Sequence, residues 1–300
     1  MEQQRRLIAG TLWPAVVRQT EHALSRGALQ PIDTQQSVID SGGIRFLVRQ
    51  VSSLARKEQQ REQARKLQTE RRPQANPFLP YDPDLFVADI CDTHLALLNK
   101  FNVIDHHLLI VTREFARQAA LLDLADFEAL LTCMAEFDGI GFYNAGAEAG
   151  ASQPHKHLQI VPLPLGETGL PVPIEPLLDA EKRMPELPFR HAFARFDADE
   201  LTRADAATRV LSRYRTLLEA AAIGAVEIDG AWCHATPYNL LVTRRWMLLV
   251  PRSRERVEGV SVNALGFAGS FFVRDAAQLD VIERLGPMTV LERVALPANT

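Results

Sequence analysis

The chain has 300 residues, 47% hydrophobic and 23% charged, which is ample for a core in one large domain or two small ones. A formal charge of −4 argues against a nucleic-acid or membrane-surface binder, so an anionic ligand would need a local basic pocket. Cys91, Cys133 and Cys233 are far apart, and no window holds the roughly 20 apolar residues of a membrane span. Those features argue against a disulfide framework or structural zinc and lead to a cytoplasmic expectation without a signal sequence.

In chain order, Leu12 to Ala28 predicts a helix. Residues 36–48 predict a hairpin turning at Ser41-Gly42-Gly43, because glycine accepts the positive φ of a tight turn. The polar run 56–72 carries seven Lys/Arg against three Glu, net +4, and reads as a solvated helix or connector. Strands are expected over 85–88, 94–99 and 107–112. An amphipathic helix follows over 124–137, then a short strand at 141–144 that enters a small-residue loop. The proline-rich stretch from Pro162 to Pro188 reads as a long surface loop or linker. A helix over 203–223, a hairpin of 238–243 with 246–250, and two helices near 274–285 and 287–295 complete the chain.

Leu109-Ile110-Val111-Thr112-Arg113 echoes Leu248-Leu249-Val250-Pro251-Arg252. This suggests a degenerate two-fold repeat of one α+β unit, or chance likeness of two apolar strands. Antiparallel hairpins with intervening helices give the fold class: α+β, an antiparallel sheet with flanking helices.

The chemistry concentrates in Asn144 to Gln159. With a side-chain period of two, Gln153, His155, His157 and Gln159 share one strand face, and Lys156, Leu158 and Ile160 the other. Four polar side chains on one face suit a cleft, since burial without partners is costly. The preceding loop, Asn144-Ala145-Gly146-Ala147-Glu148-Ala149-Gly150-Ala151-Ser152-Gln153, lets backbone N–H groups approach phosphate oxygens. Three readings stand at this point: two satisfied histidines beside a turn, two ligands of a zinc site that still lacks a third and fourth, or an imidazole nucleophile that attacks a phosphate.

Gly150-Ala151-Ser152-Gln153-Pro154-His155-Lys156-His157-Leu158-Gln159 resembles the active-site signature of the diadenosine tetraphosphate phosphorylases (ATP adenylyltransferases). These are a branch of the histidine-triad superfamily related to galactose-1-phosphate uridylyltransferase, with glutamine in place of a third histidine. Leu97 to Val103, His107 to Thr112, Tyr238 to Thr243, Trp246 to Arg252 and Ser261 to Gly269 are similar to further parts of the family, in order along most of the chain.

The resemblance implies a histidine-triad-like fold over 1–300, with the motif in 1–162 and residues 163–300 completing the cleft. It implies His157 as the nucleophile that becomes adenylylated, His155 as its support, and Gln159 on the transferring phosphate. Asn144, Gly150, Ala151, Ser152 and Gln153 would hold phosphates and ribose, and Asn99 and Lys100 would lie by the nucleotide. Lys57 resembles the family's polyphosphate lysine, although Glu58 follows it where proline is expected. Asn263, Ala264 and Leu265 match substrate contacts; Ser270 stands where methionine is usual, and Arg274 where lysine is usual. The implied reaction is phosphorolysis of diadenosine tetraphosphate to ADP and ATP, reversible, with adenylyl sulfate as another donor. The alternatives are a related nucleotidyltransferase or dinucleoside polyphosphate hydrolase with a different acceptor, and a catalytically idle nucleotide-binding sensor. The implied partners are dinucleoside polyphosphate, ATP, ADP and inorganic phosphate, taken by a monomer. No residue is assigned to a metal; Mg2+ carried by the substrate polyphosphate, without a protein cage, is the one cofactor considered. The remaining histidines (His22, His94, His106, His107, His191, His234) are expected to be ordinary, and Trp13, Trp232 and Trp246 to be core.

Overall fold

The computed structural model describes residues 6–52, 76–178, 187–197 and 199–298. Lys57 and the basic run 56–72 lie outside the described residues.

Helix α1 (Leu12–Arg26) precedes strands β1 (Thr34–Ser41) and β2 (Ile44–Val51), whose turn holds Gly42 and Gly43 at φ 58° and 79°. Strands β3 (Phe86–Asp89), β4 (His94–Leu98) and β5 (Leu108–Thr112) lead to helix α2 (Leu124–Glu136). Asp123 caps α2 by accepting from the N–H groups of Ala125 and Asp126, while Asp126 accepts in return from Asp123 N–H. Then come β6 (Gly139–Ala145), β7 (His157–Pro162), β8 (Ala192–Arg195) and helix α3 (Ala206–Ala220). The hairpins β9 (Ala225–Ile228) with β10 (Ala231–His234), and β11 (Tyr238–Val242) with β12 (Trp246–Pro251), follow. Strands β13 (Arg256–Val257) and β14 (Val260–Ser261), helix α4 (Ala264–Phe267), strand β15 (Ser270–Val273), and helices α5 (Ala276–Leu285) and α6 (Pro287–Val294) end the chain.

The main sheet has eight strands in the order β3-β4-β5-β7-β6-β11-β12-β8, antiparallel throughout. Its central pair, β7 and β6, is flanked on one side by the β4–β5 hairpin and on the other by β11–β12. The two echoing segments do not occupy matching positions: β5 pairs directly with β7, whereas β12 is separated from β6 by β11. Alternation along each strand sends side chains to two separate cores. Leu158, Ile160, Tyr143 and Leu240 face α1, α2 and α3, whereas Val161, Phe142 and Leu241 face the sheet β1-β2-β15 and the C-terminal helices.

Two expectations are corrected. The proline-rich stretch is no plain surface loop: Leu165, Val172, Ile174 and Leu178 are buried in the second core, where apolar side chains outweigh the proline signal. Trp232 is not core but 60% exposed, because β9 and β10 form a separate two-stranded ribbon off the main sheet.

Helix α2 lies close over β6. A Cβ built on Gly141 would sit 2.6 Å from Cδ1 of the fully buried Leu130. We expect Gly141→Val to overpack this contact and to cost about 1–3 kcal/mol in denaturant unfolding. Adding Leu130→Ala should recover part of that loss; a purely additive double variant would contradict the contact.

Candidate active site

Strand β7 starts at His157, where the chain leaves the small-residue loop and enters the sheet beside β5 and β6. One side chain secures that entry. Gln118 Oε1 accepts from His157 N–H at 2.8 Å, and Gln118 Nε2 donates to the carbonyls of Asn144 at 2.9 Å and His157 at 3.3 Å. It bridges β6 and β7 beyond their last ladder pair, Phe142 with Gln159.

His157 is 4% exposed and borders a cleft of about 700 Å³. Its Nδ1 lies 2.8 Å from the carbonyl oxygen of His155. A carbonyl only accepts, so Nδ1 carries the proton and Nε2 keeps its lone pair. Burial, against the hydrogen bond to His155, lowers the pKa of His157 from 6.5 to about 4, so the ring is neutral at neutral pH. Phe78 packs on it with ring centroids 5.3 Å apart.

His155 has a different place. Its Nε2 lies 2.9 Å and 3.1 Å from the carbonyls of Thr112 and Glu114, and its Nδ1 faces Asn76 Nδ2 at 3.0 Å. Both ring nitrogens therefore have protein partners, and the side chain does not border the cleft. The shared-face expectation fails for this residue because His155 precedes β7 and bridges Arg117 instead. Its part in the cleft is its backbone carbonyl. The zinc reading fails on the same ground, and no group of three or more His, Cys, Asp or Glu comes together among the described residues.

Gln159 is oriented by a residue that sequence reasoning set aside. His107 is 9% exposed and borders the cleft; its Nε2 meets Gln159 Oε1 at 2.9 Å and its Nδ1 meets Asn99 Nδ2 at 3.1 Å. Burial holds His107 neutral, with a pKa of about 4. If Asn99 donates to Nδ1, then Nε2 carries the proton and donates to Gln159. The relay consumes the oxygen of Gln159 and turns its NH2 toward the cleft. No local motif marks His107; the only sequence signal is its place immediately before β5, the strand that pairs with the motif strand.

The loop is held on its far side. Asn144 Oδ1 accepts from Asn239 Nδ2 at 2.8 Å and from Ala264 N–H at 3.0 Å. Asn239 also donates to Ala149 O at 2.8 Å and accepts from the fully buried Arg252. Arg252 in turn donates through Nε to Val294 O at 3.1 Å, and burial pulls its pKa down to about 9. Gly146 and Gly150 take φ of 96° and 90°, open to glycine and strained for other residues, and a Cβ on Gly150 would come within 3.1 Å of Asn263. The N–H groups of Gly150 and Ala151 bond back to Ala147 and Gly146, so these two close the turn and are not free phosphate donors.

Asn99, Lys100, Asn144, Gly150, Ser152, Gln153, His157, Gln159, Asn263 and Leu265 all border the cleft. Tyr81, Leu97, Phe101, Val103 and Ile104 give it an apolar wall suited to a flat ring. Ser270 and Arg274 lie in an adjoining recess of about 320 Å³ with Arg256. Ser270 is fully buried and accepts from Arg49 at 2.7 Å, so its hydroxyl serves an arginine rather than an open pocket.

A neutral, oriented imidazole in a cleft lined by amides and an apolar wall is the site of a group-transfer enzyme that acts on nucleotide phosphates. Family models agree. Residues 2–180 match the Ap4A phosphorylase N-terminal domain and residues 185–297 the ATP adenylyltransferase C-terminal domain. The chain belongs to the diadenosine tetraphosphate phosphorylase family. It is 27% identical over 244 residues to diadenosine 5',5'''-P1,P4-tetraphosphate phosphorylase 2 of Saccharomyces cerevisiae, covering 68% of this chain and 70% of that protein. It is 29% identical over 208 residues to Protein APA1 of the same yeast, covering 60% and 61%. In fold it matches crystal structures of yeast Ap4A phosphorylase Apa2. The TM-score is 0.78 at 21% identity, over 98% of this chain and 97% of that one. For Apa2 in complex with Ap4A it is 0.72 at 20% identity, over 98% and 100%.

The relay predicts that His107→Leu lowers kcat for nucleotidyl transfer roughly tenfold to a hundredfold while KM moves little, since one oriented donor is lost. His107→Gln, which can still donate to Gln159, should recover most of it. Equal damage from both variants, or damage confined to KM, would contradict the relay.

Proposed function

We propose that this chain catalyses phosphorolysis of diadenosine tetraphosphate to ADP and ATP. The observation that carries the reading is the lone pair on His157 Nε2, presented to the cleft by the bond from Nδ1–H to the His155 carbonyl. Nε2 attacks an α-phosphorus, the bond to the bridging oxygen breaks, and ATP leaves with that electron pair. The new N–P bond makes the ring cationic, and the His155 carbonyl dipole stabilises that charge. The Gln159 NH2, with Asn144 and Ser152 nearby, donates to the phosphate oxygens as charge develops on them. An oxygen of inorganic phosphate then attacks the adenylyl phosphorus, releases Nε2 and forms ADP. The same steps run backwards from ATP and ADP, and adenylyl sulfate is another donor.

Asn99 and Lys100 are assigned to the nucleotide, and Asn263, Ala264 and Leu265 to the substrate beside the loop. Ala264 acts through its N–H on Asn144. Gly150 and Ala151 shape the loop, Ser270 and Arg274 belong to the adjoining recess, and Lys57 is kept as a polyphosphate contact. We read the chain as one catalytic domain acting as a monomer, because strands from both halves build one sheet and both halves border one cleft. Three free cysteines support a cytoplasmic setting, and no helix among the described residues is long and apolar enough to cross a membrane.

The test is product analysis with diadenosine tetraphosphate and phosphate. ADP and ATP in equal amounts are expected, with His157→Ala reducing turnover at least about a thousandfold. AMP with ATP, whether or not phosphate is present, would make the chain a hydrolase and overturn the proposal. The pH profile gives a second check. The neutral ring is the reactive form and its pKa is lowered to about 4. The single-turnover rate should therefore stay level as pH falls through 6.5 and decline only as pH approaches about 4, with circular dichroism confirming the folded state. A midpoint near 6.5 would mean that His157 titrates like an exposed histidine.

A further inference from the structure

Lys156 stands between the two motif histidines and does not border the catalytic cleft. It is only 3% exposed, and its side chain runs to helix α2, on the side where Leu158 and Ile160 join the first core. An apolar side chain would fill that place without desolvating a cation. The charge is matched on α2. Nζ donates to Oδ2 of Asp126 at 2.5 Å, and Asp123 Oδ2 is a second carboxylate at 3.9 Å. Asp126 is 1% exposed and is itself fixed, by Asp123 N–H at 2.8 Å and by Nε2 of His94 at 3.1 Å.

The geometry points to Lys156, paired with Asp126, as a positioning residue for His157: it ties residues 155–157 to the segment 116–121, so that the His155 carbonyl faces Nδ1 of the ring. The inference rests on His157 being the nucleophile of the proposed reaction. Each polar group of Lys156 is anchored. Its N–H donates to Ala116 O at 2.8 Å, and its carbonyl accepts from Thr112 N–H at 3.3 Å. Besides Asp126, Nζ reaches Leu121 O at 3.1 Å. The first of these bonds aims the carbonyl that selects the tautomer. Lys156 N–H and His155 C=O belong to one trans peptide, in which they point opposite ways. With the N–H held on Ala116, the His155 oxygen is sent onto His157 Nδ1, 2.8 Å away. The pairing of β5 with β7 does not extend to this peptide, since it begins at Val111 with His157; one isolated bridge, Arg117 with His155, lies beyond it. Side-chain bonds do the work of the ladder here. Lys156 holds both ends of the segment 116–121, and between them Gln118 accepts His157 N–H and donates its own N–H to Pro154 O at 2.8 Å. Without Nζ, the Leu121 end is released and Asp126 loses its cation.

The experiment compares two variants of the full chain. Lys156→Met keeps the stem and removes the cation, leaving Asp126 a lone buried carboxylate. Adding Asp126→Asn removes both charges and leaves an amide to serve Asp123 and His94. Denaturant unfolding should show the single variant destabilised and the double variant close to wild type. In both, kcat for nucleotidyl transfer per folded molecule should fall about a hundredfold while KM stays within about twofold, because the nucleophile is misplaced and binding is not. Nitrogen-15 NMR of the imidazoles, assigned with His157→Ala, should show His157 protonated on Nδ1 alone in the wild type and a mixture of tautomers in the double variant. Retention of the single tautomer in the folded double variant, or a loss confined to KM, would overturn the proposal. So would a double variant that cannot fold, since the pair would then be a requirement of the fold. The tautomer measurement needs no substrate. A tautomer change in a chain that makes no ADP would count against phosphorolysis and for the anchor.

Discussion

The bond from His157 Nδ1 to the His155 carbonyl is the constraint on which the rest of the site depends. An imidazole offers two nitrogens, and only the deprotonated one attacks phosphorus. Here the backbone two residues earlier settles the choice, and burial with Phe78 on the ring keeps the second proton away. The arrangement works only if the backbone of 155–157 is fixed. Gln118 clamps the N–H and carbonyl of His157, and the two nitrogens of His155 anchor the preceding residue. The histidine that never reaches the cleft thus matters through its carbonyl and its anchoring.

The second half of the chain acts on the same site through one asparagine pair. Asn239 on β11 stands opposite Asn144 on β6 and donates to it, while the buried Arg252 holds Asn239 and reaches back to Val294 at the end of α6. A buried arginine is tolerable only with its donors satisfied, and here backbone carbonyls and an amide oxygen supply the acceptors. The small-residue loop before β7, the second hairpin and the C-terminal helix are therefore one hydrogen-bonded unit. A hairpin flanks the central pair on each side, and only the first carries the relay to the motif strand.

Much of this was legible from residue order. Hairpins with glycine turns, helices with three-to-four spacing, and the loop running into two histidines all follow local rules, and family resemblance pointed to His157. The chief omissions share one cause. His107 pairs with Gln159, Gln118 with His157, and the buried Asp126 with His94 and Lys156 across 30 to 52 residues, and no local pattern announces such pairings. Lys156 was legible only as facing away from its histidine neighbours; that its amine would be buried on Asp126 depended on where α2 packs. The proline-rich stretch misled because its apolar residues are too irregularly spaced to read as buried, yet they fill the second core.

The central claim, that His157 carries the nucleotidyl group between donor and acceptor, is tested most directly by trapping that group. The folded protein is mixed with diadenosine tetraphosphate in phosphate-free buffer, and its intact mass is read under alkaline conditions that spare a phosphoramidate. The account predicts a gain of one adenylyl group, mapped to His157, lost in acid and discharged as ADP when phosphate is added. An unmodified chain that still turns over substrate, or an adduct that persists in His157→Ala, would contradict it.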